Sequence, residues 1–148
     1  ATRRVARGEC NDDEGTKCPG SARGRARVSI RPLEGVRIVE FSGSIAGPSA
    51  TMILAQLGAD VIKVEAPAGD DARAWPPHVG DRSVVFRQMC AGKRGIVLDL
   101  KQPLAVEIAL ELCDGAAVVM QTMRPGVAER MGIGEGAVRA RNADVLYV

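Results

Sequence analysis

The sequence predicts an α/β fold, namely an open, doubly wound, Rossmann-like sheet of parallel strands. β-prone aliphatic runs alternate with helical segments from residue 32 onward, which is the order of elements that builds βαβ units. Only 3% of the residues are aromatic although 46% are hydrophobic, so aliphatic side chains must fill the core. Such a core is typical of buried parallel strands, and 148 residues give room for one domain of this kind.

The first predicted βαβ unit occupies residues 36–65. A β-prone run at 36–41 leads into a turn, and Pro48 fits the first turn of the helix that follows, because its missing N–H costs nothing there. Gly58 is a natural end for that helix, and residues 60–65 form the second predicted strand. Parallel strands joined through a helix imply a right-handed crossover.

A long segment, residues 66–92, separates this unit from the rest of the sheet. It is rich in Pro, Gly and Asp, and we expect a functional loop or a short helix there, anchored by Trp75 and Phe86. The elements predicted after it are a strand at 95–100, a helix opened by Pro103 with an apolar face of Leu104, Ile108 and Leu112, a strand at 116–120, a short helical turn at 127–131, a helix at 137–142 and a strand from Val145. Because the sequence ends within this last strand, we expect an amino-terminal fragment whose sheet is incomplete at its carboxyl-terminal side.

The net charge of +2 is unevenly distributed along the chain. Residues 1–31 hold eight Lys and Arg against four acidic residues, without helical or strand periodicity. We expect them to be a disordered basic extension, with residues 32–148 as the domain. The acidic residues of this extension disfavour a transit peptide. The slightly acidic remainder argues against nucleic-acid binding, and no apolar run approaches the ~20 residues that span a membrane.

Four cysteines, Cys10, Cys18, Cys90 and Cys113, are spaced neither as a CxxC redox pair nor as a zinc site, and His78 is the single histidine. The sequence therefore predicts no metal site. Free thiols in a reducing, cytoplasmic setting are the expectation for all four cysteines.

The turn after the first predicted strand is the first candidate ligand site, because ligands of doubly wound sheets bind beyond the carboxyl ends of the strands. A helix that starts there offers free N–H donors to an anion. Glu65 follows Gly43 by 22 residues, the distance expected of a ribose-binding acid in a dinucleotide site. Gly43 and Gly47 do not fit G-x-G-x-x-G, however, and Pro48 removes an amide donor, so NAD or FAD is the less favoured alternative.

A second candidate feature is a group of cations predicted at strand or loop ends. Each of them alone is an ordinary surface charge, but several cations near one edge of a sheet suit a small ligand with several phosphates. They are Lys93, Arg94, Lys101, Arg124 and Arg130.

Five motifs follow one another in order along residues 32–148. They are Pro32–Phe41, Ala46-Gly47-Pro48, Leu57–Glu65, Gly92-Lys93-Arg94 with Leu98–Lys101, and Arg124–Val127 with Arg130–Gly132. In this order they resemble the amino-terminal part of the family III CoA-transferases, the family of formyl-CoA transferase, carnitine CoA-transferase and α-methylacyl-CoA racemase. Each motif alone is weak, and their unbroken order carries the resemblance.

The resemblance implies a site for coenzyme A (CoA), bound as an acyl-CoA substrate. At matching motif positions, it implies Ile45 and Ala46 along the nucleotide pocket, Leu98, Asp99, Leu100, Lys101, Thr122, Met123 and Arg124 at the adenosine and phosphates, and Arg130 as an ionic contact. Two departures from the family pattern affect these contacts. Ala66 stands where transferases often have an arginine, and Gln121-Thr122-Met123 replaces the usual Glu-Asn-Phe.

The resemblance also implies a reaction, in which an aspartate carboxylate attacks the acyl-CoA thioester and forms a mixed anhydride. The freed CoA thiolate then makes an enzyme-bound thioester, from which an acceptor acid takes the CoA. The matching aspartate would lie beyond Val148, so we predict no catalytic residue in this chain and no activity of the chain alone. Full-length subunits of the family interlock as homodimers. The donor and acceptor acids cannot be named from these residues.

Three alternatives stay open beside a transferase: a fragment of an α-methylacyl-CoA racemase, a non-catalytic CoA-binding remnant, and the dinucleotide-binding domain. The length of residues 66–92 favours a transferase, because the racemases of the family have a short connection there. The stretch Leu98–Pro103 resembles racemases instead.

Overall fold

The structure, a computed structural model, describes residues 31–148. The predicted extension at residues 1–31 lies, except for Arg31, outside the described residues, and so do Cys10 and Cys18. The elements in chain order are β1 Arg37–Glu40, α1 Ala46–Gln56, β2 Asp60–Glu65, a 3-10 helix at Asp71–Ala74, β3 His78–Val79, β4 Arg82–Ser83, α2 Val84–Met89, β5 Arg94–Val97, α3 Pro103–Asp114, β6 Val118–Met120, α4 Val127–Arg130, α5 Glu135–Arg141 and β7 Leu146–Tyr147.

Five strands form one parallel sheet in the order β5-β2-β1-β6-β7. Strand β1 lies at its centre, with Ile38 opposite Val61 of β2 on one side and Val118 of β6 on the other. The chain leaves β1 in one direction to build β2 and β5, and later returns to add β6 and β7 on the opposite side. This order confirms the predicted α/β fold with a parallel sheet, and it places a topological switch point at the carboxyl end of β1.

Helices cover both faces of this sheet, because successive residues of a strand point to opposite faces. On one face, Ile38 and Val61 pack with Leu54 of α1. On the other face, Val39, Val64 and Val119 pack in a cluster with residues of α3, α4 and α5, among them Ala109, Cys113, Ala128 and Val138. The sheet is therefore doubly wound. Its central strands β1 and β2 are buried on both sides beyond their first residues, and this explains why they are rich in aliphatic residues.

The predicted helix boundaries agree with the structure at three signals. Pro48 lies in the first turn of α1, Gly58 follows the end of that helix with φ +105°, and Pro103 is the first residue of α3. At Gly58 a side chain would be strained, since only glycine adopts such a backbone conformation at little cost.

Strand β5, at Arg94–Val97, ends three residues before the end of the strand predicted at residues 95–100. β5 is an edge strand that pairs only with β2, and β2 ends at Glu65. The Leu98 N–H donates to the Glu65 carbonyl at 2.9 Å and completes the ladder. Beyond it the chain has no partner strand, and it turns at Asp99 into α3.

The predicted apolar face of α3 is wrong at its first member. Leu104 is 73% exposed, whereas Ala109 and Cys113 are fully buried against the sheet. Leu104 precedes Ala109 by five residues, which at 3.6 residues per turn places it about 140° away from the buried direction. Ile108 and Leu112 are partly buried at the margin of the core.

Residues 66–92 are more structured than a loop. They contain the 3-10 helix, an antiparallel hairpin of β3 and β4, and the short helix α2. Both expected anchors are half-buried, and the guanidinium of Arg73 lies 4.0 Å from the ring centre of Phe86. Within residues 31–148, no helix is both long enough and apolar enough to cross a membrane.

Candidate functional site

The turn between β1 and α1, residues 42–46, lies at the carboxyl end of the central strand. Ser44 adopts φ +64°, the only non-glycine residue with a positive φ in the described part of the chain. Such a conformation costs roughly 1–2 kcal/mol for a residue with a side chain, so something must hold it. One cavity opens on each side of this turn.

The first cavity has a volume of about 230 Å³. Its apolar wall consists of Phe41, Val64, Leu98, Leu100, Met123 and Met131. Its polar lining includes Lys63, Glu65, Asp70, Asp99 and Lys101. Lys101 is exposed, and within residues 31–148 it forms no ion pair, so its ammonium group is available to an anion.

The second cavity, of about 480 Å³, is more open to solvent. It shares Phe41, Gly43 and Met123 with the first cavity, so the two adjoin along the turn. Its other lining residues are Ser44, Ile45, Ala46, Trp75 and Thr122.

The structure brings eight of the ten predicted site residues to these cavities. Leu98, Asp99, Leu100 and Lys101 line the first, Ile45, Ala46 and Thr122 line the second, and Met123 lines both. The predicted pocket is therefore divided in two by the turn. Arg124 and Arg130 line neither cavity, and both are exposed. Gly126, between them, approaches Arg130 so closely that a Cβ there would lie 3.2 Å from its guanidinium.

A buried group of charges lies beneath the turn, on the α1 side of the sheet. Its centre is Glu40, the last residue of β1, which is 0% exposed. Lys93 donates to Glu40 Oε2 at 2.8 Å, to the Pro48 carbonyl at 2.8 Å and to Thr51 Oγ1 at 2.7 Å. Thr51 and Ser42 hydroxyls donate to the two carboxylate oxygens at 2.7 and 2.8 Å. Both Glu40 oxygens are thus satisfied without water.

Lys63 connects this group to the next segment of the chain. Its ammonium group lies 2.8 Å from Asp70 Oδ2, donates to the Ser42 carbonyl at 2.7 Å and reaches Glu40 Oε1 at 3.4 Å. Asp70 Oδ1 accepts the N–H of Ser44 at 3.1 Å and that of Ala72 at 2.9 Å, and so caps the 3-10 helix. We call Glu40, Ser42, Thr51, Lys63, Asp70 and Lys93 the buried network.

The pKa values of the network follow from the competition between burial and pairing. Burial alone would raise the pKa of Glu40, but the Lys93 hydrogen bond, the Lys63 charge and the Thr51 hydrogen bond together lower it. Asp70 behaves in the same way, since Lys63 and two backbone N–H groups outweigh burial and lower its pKa. Burial would lower the pKa of Lys63, yet the hydrogen bond and charge of Asp70, with the charge of Glu40, raise it. All three groups are therefore charged at neutral pH.

Two of the five cations predicted for a phosphate ligand are not available for one. The Lys93 side chain is 1% exposed and saturated by the buried network. Arg94 donates from Nε and Nη2 to the two carboxylate oxygens of Asp60, at 2.8 and 2.6 Å. Asp60 begins β2, so this pair lies toward the amino ends of the strands, away from the turn. The prediction that these two cations face the ligand is wrong.

The acid considered for a ribose is also occupied. Arg73 donates to both carboxylate oxygens of Glu65, at 2.8 and 2.9 Å, and the Asp70 N–H donates to Oε2 at 3.1 Å. A carboxylate held in this way has little capacity left for two ribose hydroxyls. This geometry argues against the dinucleotide alternative.

Sequence reasoning missed Lys63, Asp70 and Ser44. A signal for Lys63 was present, because a lysine flanked by valine and isoleucine in a strand buried on both faces must find a partner inside. Asp70 gave no comparable signal, since an acid in a segment rich in Pro, Gly and Asp is ordinarily solvated.

The cysteines and other possible ligands add no further site within residues 31–148. Cys90 and Cys113 are free thiols, as predicted, and burial raises the pKa of Cys113 to about 12. Across the same residues, His, Cys, Asp and Glu side chains form no group of three or more that could hold a metal ion.

Comparison with known proteins then identifies the family. The model of CoA-transferase family III matches residues 33–148. The chain belongs to this family. The match begins at the second residue of the first predicted motif and extends over the whole sheet, so the family relation rests on the entire domain and not on the site alone.

Individual relatives agree with this assignment. Succinyl-CoA:glutarate CoA-transferase of Mus musculus is 45% identical over 108 residues, which cover 72% of this chain and 25% of the relative. Among solved structures, Rv3272 of M. tuberculosis superposes with a TM-score of 0.74 at 38% identity, covering 80% of this chain and 34% of that one. A CaiB/BaiF family protein from Brucella suis gives the same TM-score at 35% identity, covering 78% of this chain and 32% of its own. The chain thus spans about a quarter to a third of the length of these relatives.

Proposed function

We propose that residues 32–148 form the CoA-binding part of an enzyme that moves CoA from an acyl-CoA to a carboxylic acid. The observation that carries this proposal is the pair of adjoining cavities at the carboxyl end of β1, lined by eight residues that the family resemblance implies for CoA. A site at this end of a doubly wound sheet is where ligands of such folds bind. The relatives named as CoA-transferases support transfer as the reaction class.

The cavities fit different parts of a CoA molecule. The first, at about 230 Å³, is smaller than the ~300–1,000 Å³ of most small-molecule sites, so it suits one planar group such as the adenine and not the whole ligand. Its apolar walls match the faces of a base, and Lys101 lies at its lining where a phosphate can pair with it. Ala66, also in the lining, brings no charge of its own. We propose that the exposed Arg124 and Arg130 add the remaining contacts to phosphate.

The chemistry that we propose for the whole enzyme is covalent catalysis by a carboxylate. An aspartate attacks the thioester carbonyl, CoA leaves as a thiolate, and an aspartyl–acyl anhydride forms. The thiolate attacks the aspartyl carbonyl and releases the first carboxylic acid, and the aspartyl thioester then transfers CoA to the acceptor by the reverse steps. This aspartate would lie outside residues 1–148, so we propose that the chain binds CoA without turning it over. A cytoplasmic homodimer is the proposed setting of the complete enzyme.

Calorimetric titration of the 148-residue chain with CoA, and separately with NAD, tests the binding proposal. We expect CoA to bind and NAD not to bind. Lys101→Ala and Arg130→Ala should each weaken CoA binding about tenfold, equivalent to about 1.4 kcal/mol. Arg87→Ala is the matched control, since Arg87 is exposed on α2 and lines neither cavity. Binding of NAD alone, or equal affinities in all four chains, would refute the proposal.

A further inference from the structure

Side-chain contacts hold the turn at residues 42–46 at the residue before Gly43 and at the residue after it. On one side, the Ser42 carbonyl accepts from Lys63 at 2.7 Å. On the other side, the Ser44 N–H donates to Asp70 Oδ1 at 3.1 Å. The two gripping side chains are themselves paired at 2.8 Å, so the contacts close into a ring around Gly43.

The charged members of this ring are buried, and their polar atoms have hydrogen-bond partners. The side chains of Lys63 and Asp70 are 2% and 3% exposed. Within the described residues, no buried side-chain nitrogen or oxygen lacks a hydrogen-bond partner. A buried ion pair is a costly way to gain stability, and its better-attested use is to fix one conformation.

The conformation fixed here is the left-handed backbone of Ser44. Without the Asp70 carboxylate the Ser44 N–H loses its acceptor, and a residue with a side chain then favours negative φ. A change of φ at Ser44 would move Ile45 and Ala46, which line the second cavity. Asp70 also caps the 3-10 helix that leads to Trp75, another residue that lines the second cavity.

From these contacts we infer that Lys63 and Asp70 are positioning residues, which shape the CoA site by holding the Ser44 turn. This role requires no contact between either side chain and the ligand. The inference rests on the proposed function only for the identity of the ligand. The clamp itself, Lys63 and Asp70 around Gly43, is a property of the free chain and is tested there.

The first arm of the test uses no ligand. Amide hydrogen exchange of the full chain, followed by NMR, should show a protected Ser44 N–H that exchanges at least about tenfold faster in Asp70→Ala. Asp71→Ala is the matched control, because Asp71 is the exposed neighbour on the same segment. Equal Ser44 exchange rates in the parent chain and Asp70→Ala would overturn the clamp, whether or not CoA binds.

The second arm measures CoA affinity at a temperature where circular dichroism shows every variant folded. Asp70→Ala should weaken CoA binding about tenfold, and adding Ser44→Gly should restore most of that loss, because glycine adopts positive φ without a side-chain penalty. The urea midpoint should not recover, since Ser44→Gly does not restore the ion pair between Lys63 and Asp70. A merely structural role predicts the opposite, namely unchanged affinity in the folded variant or no rescue, and either result would overturn the inference.

Asp70→Ala removes the nearest carboxylate from the buried Lys63 ammonium group and can prevent folding. The double variant Lys63→Met/Asp70→Ala avoids this, because Glu40 keeps its pairing with Lys93. We expect the same loss of affinity and the same rescue by Ser44→Gly in this background. If the parent chain binds no CoA, the proposed function fails, while the exchange rates still decide the clamp.

Discussion

Gly47 is the position at which the packing beneath the turn allows the least change. It is the second residue of α1, and it is buried. A Cβ built there would overlap Oγ and Cβ of Ser42 and would lie 3.1 Å from Cγ2 of Thr122. Ser42 cannot simply rotate away, because its hydroxyl donates to the buried Glu40 carboxylate at 2.8 Å. Gly47→Ala therefore displaces a member of the buried network.

The expected cost of Gly47→Ala follows from three contributions. Losing a hydrogen bond to a charged acceptor costs roughly 1.5–3 kcal/mol. Forcing a methyl group into packed surroundings costs about 1–3 kcal/mol. The higher helix propensity of alanine returns at most about 1 kcal/mol. The free energy of unfolding should therefore fall by about 1.5–6 kcal/mol.

Urea unfolding, followed by far-ultraviolet circular dichroism and by the fluorescence of Trp75, measures this difference. Trp75 is the only tryptophan of the chain, so its emission reports on the wall of the second cavity. Gly136→Ala is the matched control. Gly136 is the second residue of α5, and a Cβ there meets nothing within 4 Å. The same substitution at the same helix position should leave stability unchanged or raise it slightly.

Two results would refute the reasoning about Gly47. If Gly47→Ala and Gly136→Ala have the same urea midpoint, then Ser42 moves at no cost and its bond to Glu40 contributes nothing. If Gly47→Ala is destabilised but Trp75 emission and CoA affinity in the folded chain are unchanged, then a change in the buried network does not alter the conformation of the turn above it.

Two further predictions concern the charges of the network. Lys93→Met should lower the free energy of unfolding by about 3–5 kcal/mol, because Glu40 loses its main partner. The control Lys101→Met should change this free energy by less than about 0.5 kcal/mol. Equal losses of the two variants in urea unfolding would contradict the placement of Lys93. The lowered pKa values of Glu40 and Asp70 add stability that is present above their ordinary values of 4.5 and 3.8 and is lost as pH falls through their folded values. The raised pKa of Lys63 adds stability that is present below pH 10.5 and is lost as pH rises through the folded pKa. Urea midpoints measured against pH should therefore form a plateau between about pH 5 and 10. A maximum of the urea midpoint in acid would contradict these pKa directions.

The fold was predictable from local signals because each of them acts within a few residues. Local conformation is indicated by the proline in the first turn of α1, by the glycine after the end of that helix and by the aliphatic runs in the strands. None of these signals depends on distant parts of the chain. The end of β5 was not predictable in this way. Leu98 and Leu100 are as apolar as Ile96 and Val97, and only the length of the neighbouring β2 decides where pairing stops.

The candidate site was predictable to the extent that motif positions converge on one end of the sheet. The roles of the cations were not, because a lysine in a Gly-Lys-Arg sequence gives no indication of the direction of its side chain. Lys93 turns inward to Glu40, which precedes it by 53 residues, and Arg94 turns to Asp60. Pairing across such separations is decided by the sheet order, which single-sequence patterns do not contain.

The charged side chains that matter for the site fall into two groups, the buried network and the exposed cations, and the two groups have different roles. Every buried polar side-chain atom of residues 31–148 already has a partner, so the buried network has no free donor to offer a ligand. Exposed cations such as Lys101 have no ion-pair partner in that range and stay available. Attraction of a polyphosphate must then come from the exposed group and weaken with added salt, because exposed charges are screened. The shape of the site, held by Lys63 and Asp70 from below, should be insensitive to the same salt, since buried pairs are screened much less.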